Sequence, residues 1–360
     1  MARGCGLACL LLASVSLRGG ESVVFSVTTP IRSQPPWWRE QSTEIYSFDP
    51  ANGEKTLVFS EAATPLVLVS PSPFGGQDTM VAAEGRLFAQ GRELQHLPAE
   101  LRATPYSVYE LFLDGSNRYR KVVELQDKDD IAGNFWHPRQ VFVNPGGTKV
   151  GVLKWVGDSD YIFIHDVATG ALLHKTDLRQ VFPGCEPSKL GWTADGERLF
   201  FMLYEGDADG MTKDSCARIG SWVMKEDGSG LERMSSTNFA EAGLPGSRYL
   251  FRESQWNPKS KSRTPATSLY VADVKTGARK DYALSAQGIL YCCRVSDSGR
   301  FVAFLEVKSF GEPFPVWMLD LETGKEQVIF SFPTGKTTKE PWSGLIGWLR
   351  TAPSAASRLR

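Results

Sequence analysis

The chain lacks most of the features that announce an activity. Its 360 residues carry 40 Lys plus Arg against 41 Asp plus Glu, so the basic excess of a nucleic-acid binder is missing. Histidine occurs only four times. There is no Cys-x-x-Cys or Cys/His spacing for zinc, no Gly-x-Ser-x-Gly elbow, no His-Glu-x-x-His and no Gly-x-Gly-x-x-Gly. Gly335-Lys336-Thr337 mimics the end of a phosphate-binding loop, but Phe330 stands where that loop needs its first Gly. No Asn opens an Asn-x-Ser/Thr sequon. The expectation is a protein without a cofactor, a structural metal or a nucleic-acid partner.

Long apolar runs are also missing. The one at the N-terminus, Gly6 to Leu17, is too short to span a bilayer. Arg3 precedes it, and the small residues Ser14, Ser16 and Gly19 follow or end it. Residues 1–20 therefore read as a secretory signal peptide, and the mature protein as periplasmic or secreted, with no transmembrane segment. The competing reading of this segment is an N-terminal extension. Cys5 and Cys9 leave with a signal, and four Cys remain. Exported proteins keep disulfides, and Cys185 with Cys216 is the candidate pair. Cys292 and Cys293, adjacent in ILYCCRV, read as small residues facing opposite sides of a strand.

What the chain has is a repeat. An apolar strand, an Asp or Asp-Gly turn and a second strand recur as EIYSFDPANGEK, YELFLDGSNR, YIFIHDVATGAL, SWVMKEDGSGLE, LYVADVKTGARK and VWMLDLETGKEQ. A second hairpin with a short polar turn precedes it: VFVNPGGTKVGVLKW, LGWTADGERLFFMLY and CRVSDSGRFVAFLEV, with weaker copies LVSPSPFGGQDTMVA and AGLPGSRYLFRE. Gly supplies the positive φ of a tight hairpin, and the flanking Val, Ile, Leu and Phe suit buried strands. Each repeat is thus four strands, a-b-c-d. Such sheets bury both faces only by stacking radially, which gives an all-β, six-bladed β-propeller over residues 21–350 as one domain. ESVVFSV reads as a b strand with no a strand before it, and LIGWLR (345–350) as an a strand with no b strand after it. The two termini are expected to meet in one blade, closing the ring. Residues 351–360 read as a disordered tail.

The a–b units resemble the PD40 (WD40-like) repeats of TolB-like propellers, whose core runs S-P-D-G-K-x-I-A-F. The matching stretches are Thr193 to Phe201 and Ser296 to Phe304. The c–d units resemble the I-Y-V-x-D-x-x-T-G pattern at Leu269 to Gly277 and Trp317 to Gly324. The resemblance covers nearly all of residues 21–350. It implies the fold, since unrelated activities share these repeats. TolB itself carries an α/β domain before its propeller; here a strand follows the signal at once, so the resemblance implies a stand-alone relative.

Short a–b and c–d turns place the long b–c and d–a connections together on the opposite face, where binding usually resides. There the b–c loop of blade 1 carries Trp37, Trp38 and Arg39. The loop entering blade 3 carries Trp136, His137 and Arg139. Trp155 lies in blade 3, Trp256 and Arg263 in blade 5, and Phe310 and Phe314 in blade 6. Aromatics beside cations suit a peptide, glycan or anionic partner; the same tryptophans also serve to pin loops to the rim. Asp207, Asp209 and Asp214 begin a calcium-like pattern without its remaining ligands. His165 and His174 belong to an outer hairpin and His96 to a loop of blade 2. His137 is the weak catalytic candidate, with Asp129, Asp130 or Asp160 nearby. The leading expectation is a monomeric, exported, non-catalytic propeller that binds a protein or cell-envelope component through its long-loop face. The alternative is a propeller hydrolase or lyase acting near His137 at the channel mouth.

Overall fold

The computed structural model describes residues 20–30, 41–69, 78–93, 106–125, 140–156, 159–183, 185–205, 220–235, 239–253, 256–257, 262–263, 267–309, 312–332 and 342–350. Blade 1 opens with β1 (Glu21–Pro30), β2 (Gln41–Asp49) and β3 (Glu54–Ser60), followed by a 3-10 turn at Glu61–Ala63. Blade 2 holds β4 (Leu66–Leu68), β5 (Met80–Ala83), β6 (Arg86–Glu93), β7 (Ser107–Leu111) and β8 (Tyr119–Glu124). Blade 3 holds β9 (Gln140–Val143), β10 (Lys149–Val156), β11 (Ser159–Asp166) and β12 (Leu172–Asp177), with a one-turn helix α1 (Leu178–Val181) after it. Blade 4 holds β13 (Cys185–Trp192), β14 (Arg198–Glu205), β15 (Gly220–Lys225) and β16 (Glu232–Ser235). Blade 5 holds β17 (Phe239–Gly243), β18 (Arg248–Glu253), a two-stranded ribbon of β19 (Trp256–Asn257) and β20 (Ser262–Arg263), then β21 (Ser268–Asp273) and β22 (Arg279–Tyr282). Blade 6 holds β23 (Ile289–Val295), β24 (Phe301–Val307), β25 (Phe314–Asp320) and β26 (Glu326–Phe332). The chain then returns as β27 (Trp342–Arg350).

The repeated Asp/Gly turn has a common construction. In blades 1, 3, 5 and 6 the Asp carbonyl accepts from the amide of a Gly four residues on, at 2.8, 2.8, 2.8 and 2.7 Å. The Asp carboxylate accepts a second amide, from Ala51, Thr169, Lys275 and Glu322 respectively. The closing residue sits at φ of 71 to 76°, where an L side chain is strained, so Gly53, Gly170, Gly277 and Gly324 fill it.

Every blade is antiparallel in the order a-b-c-d, and blade 1 is β27-β1-β2-β3. The pairing of β1 with β27 runs from Glu21 opposite Arg350 to Thr28 opposite Trp342. The inner strands touch in sequence, β27 to β5, β9, β13, β17, β23 and back to β27, so the six-bladed ring is closed. Each wedge between blades holds its own apolar cluster. The wedge sealing blade 6 to blade 1 is the most aromatic. Phe330 packs on Phe25 and Phe48 with ring centroids 4.8 and 4.9 Å apart, and the Trp348 indole donates to the Arg294 carbonyl at 2.9 Å. Cys292 enters this cluster and Cys293 the one between blades 5 and 6; both are buried and neither is in a disulfide, and they lie on opposite faces of β23 as the sequence suggests.

The structure corrects the sequence reading in three places. In blade 2, LVSPSPFGGQDTMVA is not an a–b hairpin. Its two ends, β4 and β5, both pair with β6, so they are two pieces of one inner strand, and the true a–b turn is Glu84-Gly85. Two expected long connections are short: the b–c connection of blade 3 is residues 157–158, and that from blade 4 to blade 5 is residues 236–238. Cys185 opens β13 rather than lying in the preceding loop.

Two inner hairpins place a Phe flat over a cross-strand Gly. Phe142 lies against Gly151 in blade 3, and Phe200 against Gly191 in blade 4. A Cβ at Gly151 would fall inside the van der Waals envelope of the Phe142 ring, itself buried in the wedge beside Trp192. Gly151→Ala is therefore expected to destabilise by about 1–3 kcal/mol. Gly146→Ala, in the neighbouring turn where a Cβ meets nothing closer than 3.9 Å, is expected to change stability by no more than about 0.5 kcal/mol. Denaturant midpoints of the two variants check this; equal effects would show that the Phe-over-Gly contact is not a constraint.

Candidate functional site: the charged channel and the long-connection face

The inner strands are irregular where they line the channel. Register shifts interrupt β13 between Ser188 and Gly191, β17 between Ala240 and Ala242, and β23 between Tyr291 and Arg294; β27 shifts opposite Val24 and Phe25, around Ile346. Lys189 and Cys292 take up left-handed backbone there, at φ of 52° and 51°. A bulge of this kind redirects a side chain and leaves a carbonyl without its ladder partner.

Five charged side chains from four blades meet at these bulges. Glu241 of β17 has no exposed side-chain surface; Lys189 reaches its Oε2 at 3.1 Å and Arg252 its Oε1 at 2.8 Å. Asp78, just before β5, pairs with Arg294 of β23. Gln140 of β9 lies 3.4 Å from the Asp78 carboxylate. Burial alone raises a carboxyl pKa, but Arg252 and Lys189, with Arg294 beyond them, outweigh it and hold Glu241 at about 2. Burial pulls Lys189 down, and Glu241 and Asp78 overcome it, so the ammonium stays charged. The Cys293 thiol is pushed by burial to about 12 and the Cys292 thiol is raised for the same reason. Neither offers a thiolate at neutral pH. Among the described residues, no group of three or more His, Cys, Asp or Glu side chains is arranged to hold a metal ion.

Sequence reasoning missed this cluster. Its only trace is a charge set inside an apolar inner strand, as in FAEAG, PSKLGW and YCCRV.

Most of the residues nominated from sequence lie outside the described residues: Trp37, Trp38, Arg39, Trp136, His137, Arg139, Phe310 and Cys216, together with His96, Asp129, Asp130, Asp207, Asp209, Asp214, residues 1–19 and the tail 351–360. Trp155 is in β10, where its backbone pairs with Asp160 beside the two-residue connection. The backbones of Trp256 and Arg263 are directly paired across the β19–β20 ribbon. Phe314 is not a surface aromatic; it is buried in the wedge between blades 6 and 1. His165 and His174 sit in the outer hairpin of blade 3, His174 lying 3.8 Å from Glu226. On the long-connection side, Glu61 of the 3-10 turn is only 6% exposed and accepts the Thr43 amide at 2.8 Å.

Six blades of four antiparallel strands arranged in a ring, closed by the pairing of first and last strands, define a six-bladed β-propeller. TolB structures are among its solved neighbours. TolB from Acinetobacter baumannii superposes with a TM-score of 0.51 at 11% identity, over 91% of this chain and 66% of that one. A putative TolB from Agrobacterium tumefaciens gives 0.50 at 12% identity, over 93% of this chain and 100% of that one. At these identities the likeness is one of fold. This chain spans just under two thirds of the first of these proteins. No protein-family model matches the chain, and no curated protein matches it. Among the described residues, no helix is long and apolar enough to cross a membrane.

Burial raises the Glu61 pKa from 4.5 to about 7, against the Thr43 hydrogen bonds that lower it. The folded state therefore binds this proton more tightly than the unfolded chain does. The associated stability is present below about pH 4.5 and is lost as pH rises through about 7. Glu61→Gln is expected to gain on the wild type across that window, by up to about 3 kcal/mol above it. Urea unfolding of both proteins at pH 5 and pH 8 measures the difference; parallel pH dependences would refute the assignment.

Proposed function

We propose that this propeller is exported and acts as a non-catalytic binding module, holding a protein or other cell-envelope component on the face that carries its long connections. The N-terminal pattern of Arg3, the apolar run Gly6 to Leu17 and the small residues after it supports export of a mature chain beginning near Glu21. The observation that carries the binding reading is the β19–β20 ribbon. It is an added hairpin in the b–c connection of blade 5, and it sets Trp256 directly opposite Arg263. A backbone-paired ribbon whose register matches a tryptophan with an arginine has the residue composition of an interaction hot spot. From the sequence, Trp155, Trp37, Trp38, Arg39, Trp136, His137, Arg139 and Phe310 are assigned to connections or strand ends expected on that same face. A Cys185–Cys216 disulfide would clamp the long connection of blade 4 at that face.

The test uses two variants, Trp256→Ala/Arg263→Ala and Trp37→Ala/Trp38→Ala, each first shown to keep the wild-type melting midpoint. Both are expected to lose proteins or envelope components that the wild type retains when cross-linked and purified from the exported fraction. A partner profile unchanged in both folded variants would sink the reading. N-terminal sequencing of the exported protein separately checks removal of residues 1–20.

A further inference from the structure

The segment that carries the chain from blade 1 to blade 2 is anchored by a carboxyl group. Residues 61–65 run from the end of β3 to the start of β4, and Ala62, Ala63 and Pro65 are exposed there. Glu61 is the buried residue of the 3-10 turn. An apolar side chain would anchor such a turn without desolvating a polar group, so a carboxyl at this position breaks a local rule at a cost.

The carboxyl ties the turn to two blades. It accepts the Thr43 amide of β2 at 2.8 Å, and the Thr43 hydroxyl and the Leu68 amide of β4 also hydrogen-bond to it. Thr43 Oγ1 in turn lies 3.2 Å from Thr28 Oγ1 of β1, and both threonines are buried. Thr28 and Thr43 are cross-strand partners at the stem of the β1–β2 connection, residues 31–40, which carries Trp37, Trp38 and Arg39. Glu61 is thus joined by hydrogen bonds to both strands of that stem.

Among the described residues no cation offsets its charge. The elements packed on the turn are β2 and β4. β4 has no titratable side chain. On β2, Tyr46 and Glu44 face the wedge toward blade 6, the opposite side from Ile45, and the Tyr46 hydroxyl donates to Glu44 at 2.5 Å. Tyr109 and Tyr119 of blade 2, in the wedge that Ile45 faces, interact with Glu93. The state of Glu61 is therefore decided by burial against its own hydrogen bonds. Those bonds strengthen on ionisation, but the lost solvation outweighs them, and the buried site favours the neutral acid.

We propose that Glu61 is a proton-operated latch on the stem of the blade 1 connection: held in as the neutral acid, and drawn out to water as the anion, releasing Thr43 and Leu68 together. Moving residues 61–65 outward solvates the carboxylate and gives up little apolar contact, because Ala62, Ala63 and Pro65 are exposed already. A folded-state pKa raised to about 7 means that the hold is complete in acid and is lost as pH rises through that value. The latch stands independently of the binding reading proposed above; on that reading, retention of a partner through Trp37 and Trp38 weakens over the same pH range.

The experiment is hydrogen exchange of the full chain, read at the Thr43 and Leu68 amides at pH 5.5, 7 and 8.5 and corrected for the base-catalysed intrinsic rate. The Val152 and Val302 amides, in the central strands of blades 3 and 6, report opening of the whole fold. Protection at Thr43 and Leu68 is expected to fall roughly tenfold or more between pH 5.5 and 8.5, and by pH 8.5 both amides exchange well ahead of Val152 and Val302. In Glu61→Gln, which keeps an acceptor and removes the charge, protection at the two sites is expected to stay constant across the range. Constant protection in the wild type, the same fall in Glu61→Gln, or exchange at Thr43 and Leu68 no faster than at Val152 and Val302 at pH 8.5 overturns the latch. Where the glutamine variant does not fold, the wild-type contrast between the two pairs of amides decides alone. The readout needs no partner, so its failure leaves the binding reading standing, and an unchanged partner profile in the tryptophan variants leaves the latch standing.

Discussion

Neighbouring blades of this ring share no hydrogen-bond ladder; apart from contacts such as the Val141 amide donating to the Asp78 carbonyl at 2.7 Å, polar groups left over at the inner edges depend on side chains that cross the wedge. Three such crossings recur. Gln140 of blade 3 donates to the Leu190 carbonyl at 2.7 Å and accepts its amide at 3.0 Å. Arg252 of blade 5 donates to the Leu290 carbonyl at 2.6 Å, and Arg294 of blade 6 to the Ile346 carbonyl at 2.9 Å. Each target lies at or beside a bulge. The irregularity that frees the carbonyl and the side chain that satisfies it are thus one device, repeated around the channel.

The device has a second effect. The guanidinium groups that staple blade to blade are the same groups that pair with Glu241 and Asp78. Structural support and channel electrostatics share their atoms, so the charged cluster is fixed by the fold rather than carried on loops. The outer face is organised differently. There the connections vary from two residues in blade 3 to the ribbon-bearing segment of blade 5, and variation on a fixed hub is what lets one scaffold serve many partners.

The fold was largely legible because its signals are local. Asp49, Asp166, Asp273 and Asp320 build their turns with residues no more than four positions away, and a sequence displays such spacing directly. Blade 2 escaped because its inner strand is split by residues 69–79, and a polar stretch between two apolar ones looks like a hairpin whether or not the two ends pair with each other. The channel escaped for the opposite reason. Asp78, Lys189, Glu241, Arg252 and Arg294 are scattered over the chain, and only the circular arrangement of the blades assembles them. Charge balance is a property of the assembled set, and no window of sequence contains it.

The pairing of β1 with β27 joins segments separated by about 310 residues. By loop-closure entropy, that contact costs roughly 4 kcal/mol more to form from an open chain than a five-residue hairpin does. The other blades are built from neighbouring strands and can form in any order, whereas this pairing is favourable only once intervening blades have shortened the gap. Ring closure is therefore a late event in folding. Until it happens β1 presents an unpaired edge, Ser22 to Thr28, rich in Val and Phe, open to strands of any other chain. The vulnerable stage for this protein is thus kinetic, and crowding with copies of itself before closure is the condition under which it would be lost to aggregation.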